Sequence, residues 1–196
     1  MISLLIGLIL TATFQAPEAT AATYYPLEIG MQWTYSVKNT KNKAIVKVVG
    51  IEKIGVDECY KLETYINDTL KQTEYISSKN DCKFRTKIDE TLVNPPVPFL
   101  KNGAKKGDIW KHMFSLGEEK ANTSFFVDFE DVEVPVGSYK NAMLIETRIE
   151  TSVESVTQQI KSKSWFVKDV GMVRQELQVE KNTITLTLES FDKVKK

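Results

Sequence analysis

Alternation of apolar and polar residues, repeated along the whole chain, constrains the fold of this sequence most. In residues 32–37 the side chains of Trp33, Tyr35 and Val37 alternate with polar ones. Residues 182–191 repeat the pattern, with isoleucine and leucine alternating with threonine. A period of two is typical of a β-strand with one buried face and one wet face. Short turns separate these segments and no convincing helix follows the N-terminal apolar run, so we predict an all-β fold of antiparallel meanders.

An aromatic hairpin in residues 164–174 (SWFVKDVGMVR) has a weaker copy in residues 74–85 (EYISSKNDCKFR). Three further matches occur in the same order: Gly30-x-x-Trp33 with Gly107-x-x-Trp110, residues 44–54 with 124–134, and residues 60–64 with 143–147. These matches indicate an internal repeat, although strands and turns of any β protein align loosely.

We therefore predict one domain, residues 23–196, with repeats at 24–93 and 98–191. Each half alone would have a hydrophobic face that it cannot bury. Two such meanders can close on each other, so the predicted architecture is a sandwich or an open half-barrel. Residues 94–98 (NPPVP) mark the midpoint, and their prolines predict that this segment is not a central strand, because proline donates no backbone hydrogen bond.

The first residues have the form of a secretory signal peptide. Residues 2–14 are almost wholly apolar, and Ala19-Thr20-Ala21 offers a cleavage site of small residues. We predict a signal peptide at residues 1–22 and a secreted, periplasmic or cell-envelope protein. No Lys or Arg precedes the apolar run, so a misplaced start or a retained anchor are the alternatives. No cysteine ends that run, which predicts export without a lipid anchor, and no later stretch is expected to span a membrane.

Charge and composition exclude some classes of partner. The chain has 26 basic and 26 acidic residues, intermixed along its length. Nucleic-acid binding needs a concentrated excess of Lys and Arg, so no nucleic-acid partner is expected.

Two cysteines, Cys59 and Cys82, lie in predicted strands of the first half. In an exported protein a disulfide between them is possible, and geometry decides whether it forms. Two thiols and one distant histidine fit no zinc spacing, so no metal site is predicted.

Catalytic chemistry has little support in this sequence. His112 is the single histidine, and a nucleophile normally needs a base beside it. The carboxylates of Asp128, Glu130, Asp131 and Glu133 are better explained as a wet outer face than as an acid pair. We predict no catalytic residues and no cofactor, and a protein that is not an enzyme.

Aromatic side chains are the remaining candidates for a site. Trp33, Tyr35, Trp110, Phe126 and Trp165 could line a cavity for an apolar small molecule or lipid. The alternative is that they form the core. Phe126 lies on the strand face opposite Phe125, which hints at a second apolar surface.

The motifs together resemble those of exported bacterial proteins without an assigned activity, many of them lipoproteins. The quoted pieces are residues 24–35 (YYPLEIGMQWTY), 107–110 (GDIW), 135–142 (PVGSYKNA) and 165–173 (WFVKDVGMV). More remotely, the group resembles lipoprotein carriers, whose curved sheet shelters lipid. The resemblance implies an exported β-domain and implies no catalytic residue.

Two functions follow as hypotheses. One is a non-enzymatic protein that binds an apolar ligand between its two halves. The other is a structural or protein-interaction module of the cell envelope that has a packed core and acts through its surface.

Overall fold

The computed structural model describes residues 22–153 and 156–193, and these residues form twelve antiparallel strands. The strands are β1 Gln32–Val37, β2 Lys43–Ile54, β3 Asp57–Ile66, β4 Thr69–Lys79, β5 Cys82–Ile88, β6 Thr91–Lys101, β7 Ile109–Leu116, β8 Glu119–Val134, β9 Gly137–Val153, β10 Val156–Val167, β11 Gly171–Val179 and β12 Asn182–Asp192. Each strand pairs with the next along the chain, and β12 pairs with β1, so the sheet is a closed barrel. The predicted all-β fold of antiparallel meanders is confirmed, and the structure adds the closure.

The predicted signal peptide lies outside the described residues, except for Ala22. In the part of the chain that the structure describes, no helix is long and apolar enough to cross a membrane.

Tight turns between neighbouring strands use residues that tolerate a left-handed backbone. Asn67-Asp68 joins β3 to β4, and Asn80-Asp81 joins β4 to β5, all four with positive φ. Asn and Asp adopt this conformation more readily than other non-glycine residues, and two such residues in succession suit a short hairpin. Gly50 lies at a register shift between β2 and β3, as expected of a glycine inside a strand.

The proline segment is part of β6, between β5 and β7, so the prediction that it is not a central strand is wrong. Regular pairing between β6 and β7 is confined, among the described residues, to Val93 with Leu116 and Asn94 with Ser115. Over the rest of β6, side chains of β7 contact the β6 carbonyls in place of backbone pairing. Trp110 Nε1 donates to Pro98 O at 2.7 Å, Ser115 Oγ donates to Asn94 O at 3.1 Å, and His112 Nε2 lies 3.4 Å from Pro95 O. These contacts use the carbonyls of β6, which do not depend on the missing proline N–H groups.

Both Gly-x-x-Trp turns make the same backbone hydrogen bonds. Gly30 N donates to Val48 O at 2.8 Å, and Gly107 N donates to Val127 O at 2.9 Å. The two glycines have φ values of 93° and 87°. The twelve strands divide equally into β1–β6 and β7–β12, and in each half the turn precedes the first strand. The internal duplication itself stays a prediction, which these matching turns support.

Two apolar clusters form the core. The Trp33 cluster contains Leu27, Met31, Trp33, Tyr35, Ala44, Val48, Leu62, Ile76, Val132, Ala142, Leu144, Trp165, Val173 and Leu188. The Phe125 cluster contains Tyr24, Val93, Val97, Leu100, Phe125, Val127, Met143, Ile145 and Phe166.

Strand β9 joins the two clusters. Its consecutive residues Ala142, Met143, Leu144 and Ile145 are all buried, and they belong alternately to the Trp33 cluster and the Phe125 cluster. Successive side chains of a strand point to opposite faces, so β9 is covered on both faces at this point. The two clusters therefore meet at this strand.

The hairpin of β10 and β11 is fixed against β1. Trp33 Nε1 donates to Val170 O at 2.6 Å, which places the indole ring beside Gly171. A Cβ on Gly171 would lie 3.0 Å from that same Nε1 atom, and the φ of Gly171 is 102°. Only glycine combines this backbone conformation with so close an approach.

We expect Gly171→Ala to lower the free energy of unfolding by about 2 kcal/mol, because it adds backbone strain and a steric contact with Trp33. Gly50→Ala is the matched control, since a Cβ there has no neighbour within 4 Å. The control is expected to stay within about 0.5–1 kcal/mol of the unaltered protein. Chemical denaturation measures both, and equal stabilities of the two variants would contradict the role of Gly171.

Candidate functional site

A cleft of about 800 Å³ lies over strands β4, β5 and β6. Its less exposed lining residues are Ser77, Cys82, Phe84, Pro96 and Pro98. The exposed residues around them are Lys79, Asn80, Asp81, Pro95, Lys101, Gly103 and Asp108, with Asp57 and Ala104 half-buried. A cleft of this size can hold a small molecule, since ligand pockets are typically about 300–1,000 Å³.

The strand register builds the floor of the cleft. Ser77 of β4 pairs with Phe84 of β5, and Phe84 pairs with Pro98 of β6. Directly opposed residues share a face of the sheet, so these three side chains form one row. A second row runs parallel to it, because Cys82 pairs with both Lys79 and Lys101. The result is an apolar floor with lysines on both sides of Cys82.

The loop between β6 and β7 forms one wall. Ala104 N donates to Lys101 O at 3.1 Å, and Asp108 N donates to Lys105 O at 3.0 Å, so the loop contains two turns. Asp108 Oδ2 also accepts from Lys105 N at 2.9 Å, which fixes this carboxylate within the wall.

Basic and acidic groups share the exposed edge of the cleft. Lys101 Nζ lies 4.6 Å from the centre of the Trp110 ring, a cation–π contact that holds the lysine at the boundary between loop and strand. Neither Lys79 nor Lys101 takes part in the ion pairs between described residues. Both ammonium groups are therefore without a carboxylate partner among the described residues.

The two cysteines are free, buried thiols. They are in β3 and β5, with β4 between them, so their strands are roughly 9–10 Å apart and no disulfide can span that distance. The disulfide that the sequence allowed is thus not formed. Cys59 Sγ lies 3.2 Å from Thr86 Oγ1, and that hydroxyl donates to Tyr75 O at 2.9 Å. Since a hydroxyl has one proton, the Cys59 thiol is the donor to Thr86.

The aromatic residues singled out from the sequence do not meet in one site. Trp33, Tyr35 and Trp165 are buried in the Trp33 cluster. Each also makes a polar contact: Trp33 with Val170 O, Tyr35 Oη with Met172 O at 2.9 Å, and Trp165 Nε1 with Glu130 Oε2 at 3.1 Å.

The other two aromatic candidates lie elsewhere. Trp110 is half-buried and stacks on Phe125, with ring centres 5.0 Å apart. Phe126 lies on the opposite face of β8, where the guanidinium of Arg148 is 5.0 Å from its ring centre. None of the five candidates lines the cleft, and a ligand-binding role for them stays a prediction.

The polar residues weighed for catalysis have structural partners. Lys106 Nζ is 2.6 Å from Asp128 and Lys140 Nζ is 2.6 Å from Asp131, and these hydrogen bonds lower the pKa of each carboxyl group. Glu130 accepts the indole proton of Trp165, and His112 lies beside Pro95 O. Within residues 22–153 and 156–193, no group of three His, Cys, Asp or Glu side chains could hold a metal ion.

Sequence reasoning missed the cleft. Its floor depends on which residues oppose each other across β4, β5 and β6, and register shifts between Tyr75 and Ile76 and between Lys83 and Phe84 set that alignment. The signal that could have pointed to it is the cluster of prolines beside a glycine-containing loop, because such a segment pairs poorly with the next strand.

The two thiols give a test of the cleft geometry. Cys82 is 8% exposed and lines the cleft, whereas Cys59 is 0% exposed. Cys59→Ser and Cys82→Ser each leave one thiol, and we expect iodoacetamide to modify Cys82 about tenfold faster than Cys59. Mass spectrometry of the intact protein measures the rates, and equal rates would contradict the cleft as described.

The same reaction has an expected pH dependence. Burial raises the pKa of both thiols, and in Cys82 the nearby Lys101 partly opposes this. The thiolate is the reactive form, so a raised pKa means that the rate keeps increasing as the pH passes 9. A rate that levels off near pH 8 would contradict the burial of Cys82.

Comparisons with known proteins concern the family and the fold. A sequence profile of the DUF3108-like family matches residues 104–187, which is less than half of the chain. A protein of Bacteroides fragilis described as exported, with a YmcC-like fold, superposes with a TM-score of 0.56 at 13% identity, covering 88% of this chain and 100% of that one. A lipoprotein of Parabacteroides distasonis superposes with a TM-score of 0.55 at 13% identity, covering 87% and 99%. No curated protein matches the sequence. The chain is therefore similar to the DUF3108-like family and shares the fold of these two structures.

Proposed function

We propose that the protein is an exported, non-enzymatic binding domain of the cell envelope, and that it holds an apolar small molecule or lipid in the cleft over β4, β5 and β6. The cleft itself carries this proposal. It joins an apolar floor to a charged edge, within a volume of about 800 Å³.

The chemistry of the floor favours an apolar ligand. The floor offers the ring and methylene surfaces of Phe84, Pro96 and Pro98. The prolines also have no backbone N–H group that would lose its hydrogen bond to water when an apolar ligand covers it. The lysines of the edge can pair with a polar or anionic end of the ligand. In this proposal the binding surface is formed by Phe84 and the prolines of β6, and the buried tryptophans take no part in it.

The lining residues give little support to catalysis in the cleft. Ser77 and Cys82 are the lining side chains that carry a hydroxyl or thiol nucleophile, and no histidine lines the cleft. Burial raises the pKa of the Cys82 thiol, which disfavours the thiolate that attack requires. Export is supported by the signal-peptide form of residues 1–22, and one of the similar structures is described as exported.

A second function, a protein-interaction module, is favoured by exposed apolar side chains on β7. Ile109 is 59% exposed and Met113 is 74% exposed, and both lie on the face opposite Trp110. Apolar side chains exposed on one strand face are typical of contact surfaces. This alternative makes no use of the cleft.

Substitution of Gly103 separates the two functions. Gly103 lines the cleft and a Cβ there has no neighbour within 4 Å, so we expect the indole of Gly103→Trp to occupy part of the cleft. With the neutral fluorescent probe N-phenyl-1-naphthylamine, we expect saturable binding to the unaltered protein and binding at least about tenfold weaker to Gly103→Trp. Gly50→Trp is the control, because Gly50 is equally unobstructed and does not line the cleft.

Fluorescence titration gives the three dissociation constants. Equal affinity of the Gly103→Trp variant and the unaltered protein would reject the cleft as the binding site. In that event the exposed face of β7 becomes the better-supported functional surface.

A further inference from the structure

The N-terminal segment Thr23–Leu27 crosses from one half of the barrel to the other, although it belongs to no strand. Asp169, in the turn between β10 and β11, accepts from Thr23 N at 3.2 Å and donates its own N–H to Thr23 O at 2.8 Å. Asn102, just after β6, accepts from Tyr24 N at 3.1 Å and from Thr23 Oγ1 at 3.2 Å. Two side chains, one from each half, therefore tether the start of this segment.

Tyr25 inserts into an aromatic cage. Its ring stacks on Trp33 at 6.0 Å, with an interplanar angle of 12°. Phe99 and Phe166 meet it edge to face, at 5.8 Å and 6.0 Å. The three cage residues come from β1, β6 and β10, so both halves contribute, and Tyr25 packs against both apolar clusters. Aromatic pairs in these geometries attract each other beyond simple area burial.

A charged pair lies at the polar end of the cage. Arg85 Nε is 2.7 Å from Glu74 Oε1, and the guanidinium is 5.2 Å from the centre of the Phe99 ring. Burial raises the pKa of the Tyr25 hydroxyl, and the Glu74 carboxylate raises it further. Tyr25 is therefore a neutral phenol, and the Glu74 carboxylate is near enough to act on the pKa of its hydroxyl.

The backbone that carries Tyr25 makes few hydrogen bonds, although the side chains of Tyr24, Pro26 and Leu27 are buried. Between Tyr25 and Leu27 no backbone hydrogen bond to another segment occurs among the described residues, and Pro26 has no N–H to donate. A segment with few backbone bonds opens at lower cost than a paired strand. The attachment thus depends on the tether at Thr23 and Tyr24, on the burial of Tyr24, Pro26 and Leu27, and on the fit of the Tyr25 ring.

We propose that the cage formed by Trp33, Phe99 and Phe166 is a binding site for a small phenol-like aromatic compound, and that Tyr25 is its exchangeable internal occupant. The ring of the ligand takes the place of the Tyr25 ring, and its hydroxyl faces Glu74 and Arg85. No residue of the cage lines the outer cleft, so this site goes beyond the proposed function and can fail or succeed independently of it.

Internal occupancy has a measurable consequence. The apparent dissociation constant equals the intrinsic one divided by the fraction of molecules in which the segment has left the cage. A change that loosens the tether without touching the cage increases that fraction. Such a change must therefore tighten ligand binding, whereas the removal of an ordinary contact weakens it.

The test uses p-cresol, the side-chain analogue of tyrosine, and isothermal titration calorimetry. We expect the variant Asn102→Ala with Asp169→Gly, in the full chain with Tyr25 present, to bind p-cresol about tenfold more tightly than the unaltered protein. Glycine suits position 169, because Asp169 has a φ of 60°. Gly50→Ala serves as the control with an intact tether, and its affinity is expected to match that of the unaltered protein.

Addition of Phe166→Ala to the tether variant locates the binding site. We expect it to abolish the gain in affinity, since Phe166 is a wall of the cage. A folded tether variant with unchanged affinity would overturn the proposal. So would a gain in affinity that survives Phe166→Ala, because p-cresol would then bind elsewhere.

A measurement on the unaltered protein keeps the proposal testable if the tether variant does not fold. With saturating p-cresol, we expect hydrogen exchange at the amides of Tyr24, Tyr25 and Leu27 to become faster, because the segment is displaced. Slower or unchanged exchange at these amides would overturn the proposal. Binding of N-phenyl-1-naphthylamine in the cleft reports on the proposed function and is unaffected by this result.

Discussion

The prolines of β6 impose the constraint on which the rest of the structure depends. Pro95, Pro96 and Pro98 cannot donate backbone hydrogen bonds, so β6 and β7 cannot complete a regular ladder. At this seam side chains of β7 join the two strands, above all the indole of Trp110, which donates a hydrogen bond to Pro98 O. The same prolines, freed from pairing on that side, form part of the floor of the cleft. One local exception to sheet geometry thus accounts for the irregular seam and for part of the candidate site.

The two sites proposed here use opposite faces of the same region. Phe84 and Pro98 face the cleft, whereas Phe99, next to Pro98 in β6, faces the aromatic cage around Tyr25. Successive residues of a strand point to opposite faces, so β6 contributes to both at once. Asn102, which tethers the N-terminal segment, belongs to the loop whose next residues wall the cleft.

Sequence patterns predicted the strands well because a period of two is visible in each segment separately. They missed the closure and the strand character of the proline segment, because the carbonyls of β6 find donors in side chains of β7 that are distant in sequence. They left the pairing of Cys59 and Cys82 open, since only the strand order shows that β4 lies between them. The sequence offered Trp33, Tyr35 and Trp165 as site candidates because buried cores and binding sites are both rich in large aromatic residues. The cleft depends on register, which bulges set residue by residue.

The central claim is that the cleft holds an apolar ligand, and native mass spectrometry of the protein purified from its own host tests it most directly. The account predicts that the unaltered protein carries a small apolar molecule as a mass adduct, and that the Gly103→Trp variant lacks it. The claim would be contradicted if the unaltered protein showed no adduct, or if both proteins carried the same adduct.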